Sequence, residues 1–228
     1  MNEKVFTFWE GKMPDYIKLC IDTWRFSFVL LTYDSLHYYT DFDIESAKRF
    51  TMPQIADCVR VHTLRDNGGY WLDADTVMIG DKLPQENMVG DPIQRTNSIG
   101  FLHTKAHSEM FEKWAEYQDG VIARHDTPTN WDIVGNAFTD PWVKTHKDIS
   151  IYPINDFWAE TYMIKVGSNR RLMYEQFYFD KKYTLSDIHK TDMLMLHNSW
   201  TPKWYKELTR EEVLLCDCTL SNILKGVL

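Results

Sequence analysis

The sequence predicts an α/β fold in which a mixed, mostly parallel sheet is flanked by helices. Short apolar runs of strand length alternate with stretches of helical period through the first third of the chain, the pattern of a sheet built with crossover helices. Phe28-Val29-Leu30-Leu31-Thr32-Tyr33 is continuously apolar at its centre, as expected of a strand buried on both faces. Asn67-Gly68-Gly69 stops a helix directly before the next apolar strand, glycine being suited to a left-handed C-cap.

The first strand is Val5 to Trp9, closed by the turn Glu10-Gly11-Lys12. Pro14 then opens a helix reaching about Trp24, since proline is tolerated in a first turn. Asp43 to Phe50 reads as a short helix, and Gln54 to Asp66 as a longer one with Ile55, Cys58, Val59 and His62 on one stripe. Tyr70-Trp71-Leu72 is the strand that delivers Asp73, and Thr76 to Ile79 extends it. Strands follow at Ile99–His103, Ile149–Tyr152 and Met193–Leu196, with helices over Ser108–Gln118 and Trp131–Lys144. The main domain spans residues 1–208. The tail, 209–228, opens with a capping box (Thr209, Glu212) and carries the apolar stripe Val213, Cys216, Leu220, Leu224 and Val227, a helix packed on the body.

Composition narrows the function. The 9 Trp, 12 Tyr and 12 Phe are many for 228 residues, and such rings supply flat walls for bases and sugars as well as core. A formal charge of −8 excludes a general nucleic-acid binder, which needs a basic face. No leader segment and no apolar run of spanning length is visible. Cys216 and Cys218 are too close for a zinc knuckle, Cys20 and Cys58 read as core, and reduced thiols in the cytoplasm are expected.

In open α/β sheets ligands bind at the carboxyl ends of strands, where Trp9, Tyr33 and Asp73-Ala74-Asp75 fall. Two carboxylates two residues apart point to opposite faces of a regular strand, so the chain must bend or end there for both to share a ligand. Mg²⁺ or Mn²⁺ takes a few carboxylates and fills its remaining positions with phosphate and water. Asp57 and Arg60, three apart on one helix, are either a surface ion pair or a donor–acceptor pair for phosphate and hydroxyls. His197 follows the last strand and is either a backbone-satisfied loop residue or a third metal ligand, and Lys203 is a point charge for a diphosphate. Asp132 and Asp156 are the carboxylates to consider as a catalytic base, each equally readable as a helix cap or loop residue, and Trp158 is an acceptor-sugar platform or core.

The run Ala56-Asp57-Cys58-Val59-Arg60, Leu64, Asn67-Gly68-Gly69-Tyr70-Trp71-Leu72-Asp73-Ala74-Asp75 resembles the sugar transferases that carry an Asp-x-Asp motif. That group includes capsular-polysaccharide glycosyltransferases, yeast-type initiating mannosyltransferases and, more distantly, the glucosyltransferase domains of large clostridial toxins. Phe8-Trp9-Glu10-Gly11-Lys12-Met13-Pro14 and His197-Asn198-Ser199-Trp200 look like the two ends of the same pattern. The resemblance implies a GT-A fold and transfer of a hexose from a nucleotide-sugar, UDP-glucose or UDP-galactose, to a saccharide acceptor with retention. It implies Mn²⁺ or Mg²⁺ held by Asp75 and His197, with Asp73 shared between metal-bound water, ribose and sugar. It places Phe8, Trp9, Tyr33, Asp57, Arg60, Ala74, Trp200 and Lys203 around the donor, Trp9 as the base wall, although Trp200 stands where related transferases have glycine before the lysine. The family's commonest setting is capsule or exopolysaccharide synthesis with a lipid-linked acceptor at the inner membrane face. Peripheral membrane attachment through Lys181-Lys182, Lys203 and Lys206 is weaker than a solvated surface as an account of those charges.

Rivals from other classes remain. Asp73-Ala74-Asp75-Thr76-Val77 also fits a haloacid-dehalogenase-like phosphatase with Asp73 as nucleophile, but that motif belongs on a first strand and leaves Gly68-Gly69 unexplained. A carbohydrate-binding module shares the aromatic load and has no need of Arg60, two aspartates and His197 together.

Overall fold

A computed structural model of the protein describes residues 3–92, 95–124, 130–153, 169–188 and 191–228. The strands are β1 (Val5–Phe8), β2 (Val29–Leu31), β3 (Gly69–Leu72), β4 (Thr76–Met78), β5 (Met88–Asp91), β6 (Thr96–Thr104), β7 (Ile151–Pro153) and β8 (Met193–Met195). The helices used below are α1 (Asp15–Asp22), α2 (Ile44–Ala47), α3 (Met52–Asn67), α4 (Glu109–Ala123), α5 (Asn136–Thr145), α6 (Arg170–Glu175), α7 (Lys203–Lys206), α8 (Arg210–Leu215) and α9 (Thr219–Val227). The chain divides into two units: Met1–Glu10, Ser27–Asp73 and Pro84–Pro153 form one, and Gly11–Phe26, Ala74–Leu83 and Ile154–Leu228 the other.

The first unit is built on a six-stranded sheet in the order β2-β1-β3-β6-β5-β7. β1 runs parallel to both β2 and β3, β7 runs parallel to β5, and β6 is antiparallel to its neighbours β3 and β5. This is the mixed, mostly parallel sheet the sequence predicts. One expectation fails at its edge. Among the described residues β2 has no outer neighbour, and Phe28 and Leu30 are 37% and 39% exposed while Leu31 is fully buried. A continuous apolar run therefore marks an edge strand here, with one face in the core and the other in water.

α3 is the central helix of this unit. It begins two residues before the predicted start, because Thr51 and Gln54 form a reciprocal capping box and Pro53 sits in the first turn. It ends at Gly68, φ +64°, followed by Gly69 at φ +88°. Glycine is required at both on spatial grounds too: a Cβ at Gly68 would meet the Ala106 backbone nitrogen, and one at Gly69 the Lys4 carbonyl. The second contact permits the Tyr70 N–H to reach Lys4 O at 2.8 Å, which starts the β1–β3 ladder. Ile55, Cys58 and Val59 enter a core shared with Phe6, Trp71, Leu102, Phe111 and Trp114. Burial of such large side chains contributes roughly 2–3 kcal/mol each.

Several predicted bounds change. The helix expected over 131–144 starts only at Asn136, because Asp132 turns its side chain onto the Asn136 N–H at 3.0 Å and residues 131–135 form turns. The short helix expected over 43–50 is the single turn α2, whose N-cap Asp43 accepts from the Glu45 N–H. Most consequential, Thr76 onward does not extend β3. The chain turns at Ala74-Asp75, and β4 pairs antiparallel with β8 in a separate two-stranded sheet of the second unit.

In that second unit α1 packs through Tyr16, Ile17, Leu19 and Cys20, all fully buried. The Thr23 hydroxyl accepts from the Met78 N–H, and the Trp24 indole donates to Thr76 O, which ties α1 to β4. The tail forms two helices, α8 and α9, where the sequence suggests one. Cys216 is extended (φ −60°, ψ 133°), and the Thr219 N–H donates to Lys181 O at 2.8 Å instead of continuing α8. Val213, Leu220 and Leu224 are fully buried and Cys216 is half-buried. Among the described residues no helix is long and apolar enough to cross a membrane.

Candidate functional site

The carboxyl ends of the parallel strands β1, β2 and β3 share one edge of the first unit's sheet. The register pairs Phe8 with Leu31 and Phe6 with Trp71, so Trp9, Tyr33 and Asp73 all emerge there. Phe8 and Tyr33 have ring centroids 5.7 Å apart, and the Tyr33 N–H donates to the Glu10 carboxylate at 2.9 Å. Burial, with Glu10 nearby, holds the Tyr33 hydroxyl pKa above its ordinary value. The Trp9 indole nitrogen is buried and has no hydrogen-bond acceptor among the described residues.

Arg60 organises the polar part of this edge. Its guanidinium donates to Asp73 Oδ1 at 2.6 Å, lies 3.2 Å from Asp57 Oδ1, and sits 5.3 Å from the Trp71 ring centroid. The Trp71 indole donates to the same Asp73 oxygen at 2.8 Å. The side chains of Arg60 and Asp57 are only 4% and 11% exposed, so the surface-ion-pair alternative does not hold. The Arg60 Nε is buried with no acceptor among the described residues. Burial raises the Asp57 carboxyl to about 7; Arg60 works against the shift, and the charges of Asp73 and Asp132 add to it.

Asp132 belongs to the same neighbourhood. A Cβ on Gly135 would lie 2.9 Å from Asp57 Oδ2 and 3.2 Å from Asp132 Oδ1, so this glycine is what lets the two carboxylates approach. Burial raises the Asp132 pKa, the Asn136 N–H opposes the shift, and Asp140 adds to it. The capping role that the sequence offers as an alternative is therefore the one observed for Asp132. Asp156 and Trp158 lie outside the described residues.

The second unit gathers Asp75, His197 and Trp200. Asp75 Oδ2 accepts the Asn198 N–H at 2.7 Å, and the Asp75 carbonyl accepts from the Leu196 N–H at 3.2 Å. The Asn198 side-chain oxygen in turn accepts from the Tyr16 hydroxyl at 2.5 Å. His197 donates its backbone N–H to the Tyr174 hydroxyl, and its ring packs 4.1 Å from Trp200 and edge-on to Tyr174. Burial, assisted by Arg170, lowers the His197 pKa to about 4, which leaves a neutral imidazole. Ala74 is buried in the turn between the two aspartates.

Lys203 is 90% exposed and lies 3.6 Å from Glu207. A cation electrostatically linked to Asp75 is Lys206, which is half-buried; burial and Arg171 lower its pKa while Asp75 raises it. Sequence spacing pointed to Lys203, and a one-turn shift along α7 separates it from Lys206. Asn198 and Trp71 are the other contributors missed, although both stand inside the quoted motifs. Among the described residues no group of three or more His, Cys, Asp or Glu side chains is placed to hold a metal ion. A separate hollow of about 250 Å³, lined by His103, Phe111, Trp142 and His146, lies by the other end of β6 and includes no predicted site residue.

A comparison with curated proteins finds no match. Among solved structures the chain is similar to one described as PaToxG Glycosyltransferase, at 13% identity and a TM-score of 0.43, covering 64% of this chain and 70% of that one. A family model described as capsular polysaccharide synthesis protein matches residues 1–216, and the chain belongs to that family.

Proposed function

We propose that this protein is a glycosyltransferase of surface-polysaccharide synthesis, moving a hexose from a UDP-sugar to a saccharide acceptor with retention. The observation that carries the reading is Arg60, buried between Asp57, Asp73 and Trp71 at the carboxyl edge of the sheet. Such a guanidinium, with Nε unengaged, is a donor fork for an oxygen-rich ligand, and the Asp57 and Asp73 carboxylates accept from sugar hydroxyls. The Trp9 indole and the Phe8–Tyr33 pair are flat surfaces of the kind that meet a base.

Asp75 and His197 are the residues we assign to Mn²⁺ or Mg²⁺. A carboxylate and an imidazole kept neutral by burial form a suitable donor set, and Asn198 ties the His197 segment to Asp75. When bound, the ion supplies Lewis-acid stabilisation of the departing diphosphate. The chain's own part is electrostatic and positional. Arg60 orients the sugar and phosphate; within the second unit Lys206 adds positive charge near Asp75 and Arg170 near His197, and Trp200 packs on the His197 ring. Asp73, two residues before Asp75, belongs with the sugar because Arg60 and Trp71 already fix one of its oxygens. That engagement also speaks against a phosphatase nucleophile at Asp73.

Incubation with Mn²⁺ and UDP-glucose, UDP-galactose or GDP-mannose tests the reading through nucleotide release. Turnover with a UDP-hexose is expected, and hydrolysis of p-nitrophenyl phosphate with no nucleotide-sugar turnover would overturn it. Asp75→Asn is expected to abolish Mn²⁺-dependent donor binding with the fold intact, and His197→Ala to weaken metal affinity less. Calorimetry showing unchanged donor affinity in Asp75→Asn would remove that residue from the metal site.

A further inference from the structure

Cys216 and Cys218, too close in sequence for a zinc knuckle, meet in space. Their sulfurs are 3.6 Å apart in the non-helical link between α8 and α9. Cys216 is half-buried and so within reach of solvent, while Cys218 is 1% exposed and has its sulfur 3.4 Å from the Ser221 hydroxyl. The other two cysteines, Cys20 and Cys58, are fully buried.

The contact is that of two free thiols, the Cys216 S–H directed at the Cys218 sulfur. A disulfide requires about 2.05 Å between sulfurs. Two bonds of about 2.3 Å from thiolates to one tetrahedral ion put their sulfurs about 3.8 Å apart. The observed 3.6 Å contact lies close to this bite, so little movement is needed for both sulfurs to reach one centre. The backbone holds the pair at two helix ends: the Cys216 N–H closes α8 on Glu212 O at 2.9 Å, the Cys218 carbonyl accepts from the Asn222 N–H in the first turn of α9, and Asp217 lies between the two helices.

We propose that Cys216 and Cys218 form a two-thiolate site for a soft, thiophilic centre, a zinc-like d¹⁰ ion or a trivalent arsenical. With a divalent ion, two sulfur–metal bonds form and both thiol protons are released, the remaining positions going to water. With an arsenoxide, two arsenic–sulfur bonds form, the arsenic–oxygen bond breaks, and the two thiol protons leave with that oxygen as water, with no change of oxidation state. Burial, together with the neighbouring Cys218, raises the Cys216 pKa to about 11, so metal capture competes with protons and tightens as pH rises. Cys218 also sits beside Ser221, whose hydroxyl is 2.9 Å from that of Tyr205. Occupation would draw Cys218 from this contact within the second unit.

The test uses the reduced full chain and two probes. Phenylarsine oxide, read by native mass spectrometry, is expected to add once to the wild type with loss of one water. Cys216→Ser, at a half-buried position that tolerates the change, should add none. Cadmium chloride should produce one equivalent of thiolate-to-metal absorption in the wild type and in Asp75→Asn, and none in Cys216→Ser. Adduct formation by Cys216→Ser equal to the wild type, or no adduct with the folded wild type, would overturn the proposal. Retention of the cadmium signal in Asp75→Asn separates this site from the donor-site metal. Arsenical capture without any cadmium signal would confine the site to trivalent arsenicals.

Discussion

Arg60 and His62 stand two residues apart on α3 and show opposite ways of burying a basic side chain. Arg60 is paired with Asp73 and Asp57, at 2.6 and 3.2 Å. Replacement by lysine retains a charge and loses the planar fork, so Arg60→Lys is expected to lower donor affinity at least tenfold with little loss of fold, measured by calorimetry. Arg60→Ala is expected to cost about 3 kcal/mol in urea unfolding as well, since a buried carboxylate loses its partner. His62 is instead held neutral. It stacks on Phe42 at 4.4 Å, neither ring nitrogen makes a hydrogen bond among the described residues, and the Asp119 carboxylate is 3.5 Å from Nε2. Burial, with Arg65, lowers its pKa to about 4, against the smaller pull of Asp66 and Asp41. The unfolded chain therefore binds the proton first as pH falls from about 6.5 to 4, and stability is lost across that window at up to roughly 1.4 kcal/mol for each step of one in pH. His62→Leu should flatten this acid limb in melts between pH 4 and 7; an unchanged slope would locate the acid sensitivity elsewhere.

At the scale of elements, the positions of the functional groups depend on how helices start and stop. The Thr51–Gln54 capping box sets the first turn of α3 and, through the regular helix, the angular placement of Asp57 and Arg60. Thr51→Ala is expected to cost about 1 kcal/mol in chemical denaturation while leaving donor affinity near the wild-type value. Gly135 acts at the start of α5, where the space it leaves is taken by the Asp57 and Asp132 carboxylates. Gly135→Ala must displace one of them. The expected result is a drop in kcat/KM for the donor with only a modest change in melting temperature, and equal kinetics in the variant would remove Gly135 from the site. The turn at Ala74-Asp75 is the third such device, sending Asp73 and Asp75 into different surroundings.

At the scale of the molecule, the family match over residues 1–216 supports a glycosyltransferase role in polysaccharide synthesis. The described carboxylates bear on stereochemistry. Asp132 accepts the Asn136 N–H and Asp57 faces Arg60, while Asp156, the other carboxylate named from the sequence, lies outside the described residues. On the proposed retaining reading, the expected product keeps the anomeric configuration of the donor sugar. Proton NMR of the first-formed disaccharide checks this, and an inverted anomer would return attention to a carboxylate base.

Much of this could be read from the chain alone because it depends on local rules. Strand-length apolar runs, Gly68-Gly69 after a helical stripe, and the need for a bend at Asp73-Ala74-Asp75 all follow from backbone geometry, and each is found. The three-residue spacing of Asp57 and Arg60 likewise put both on one helix face. Tertiary structure decided what sequence spacing leaves open. Burial made the Asp57–Arg60 pair an interior contact where the sequence also allowed a surface one, and edge position exposed Leu30 in a strand that looked fully interior. The antiparallel pairing of β4 with β8 moved Thr76 out of the main sheet, and one turn of α7 separated Lys206, linked to Asp75, from exposed Lys203. The reason is common to all of these. Periodicity sets which residues share a face, whereas desolvation and charge pairing depend on which distant segment covers that face.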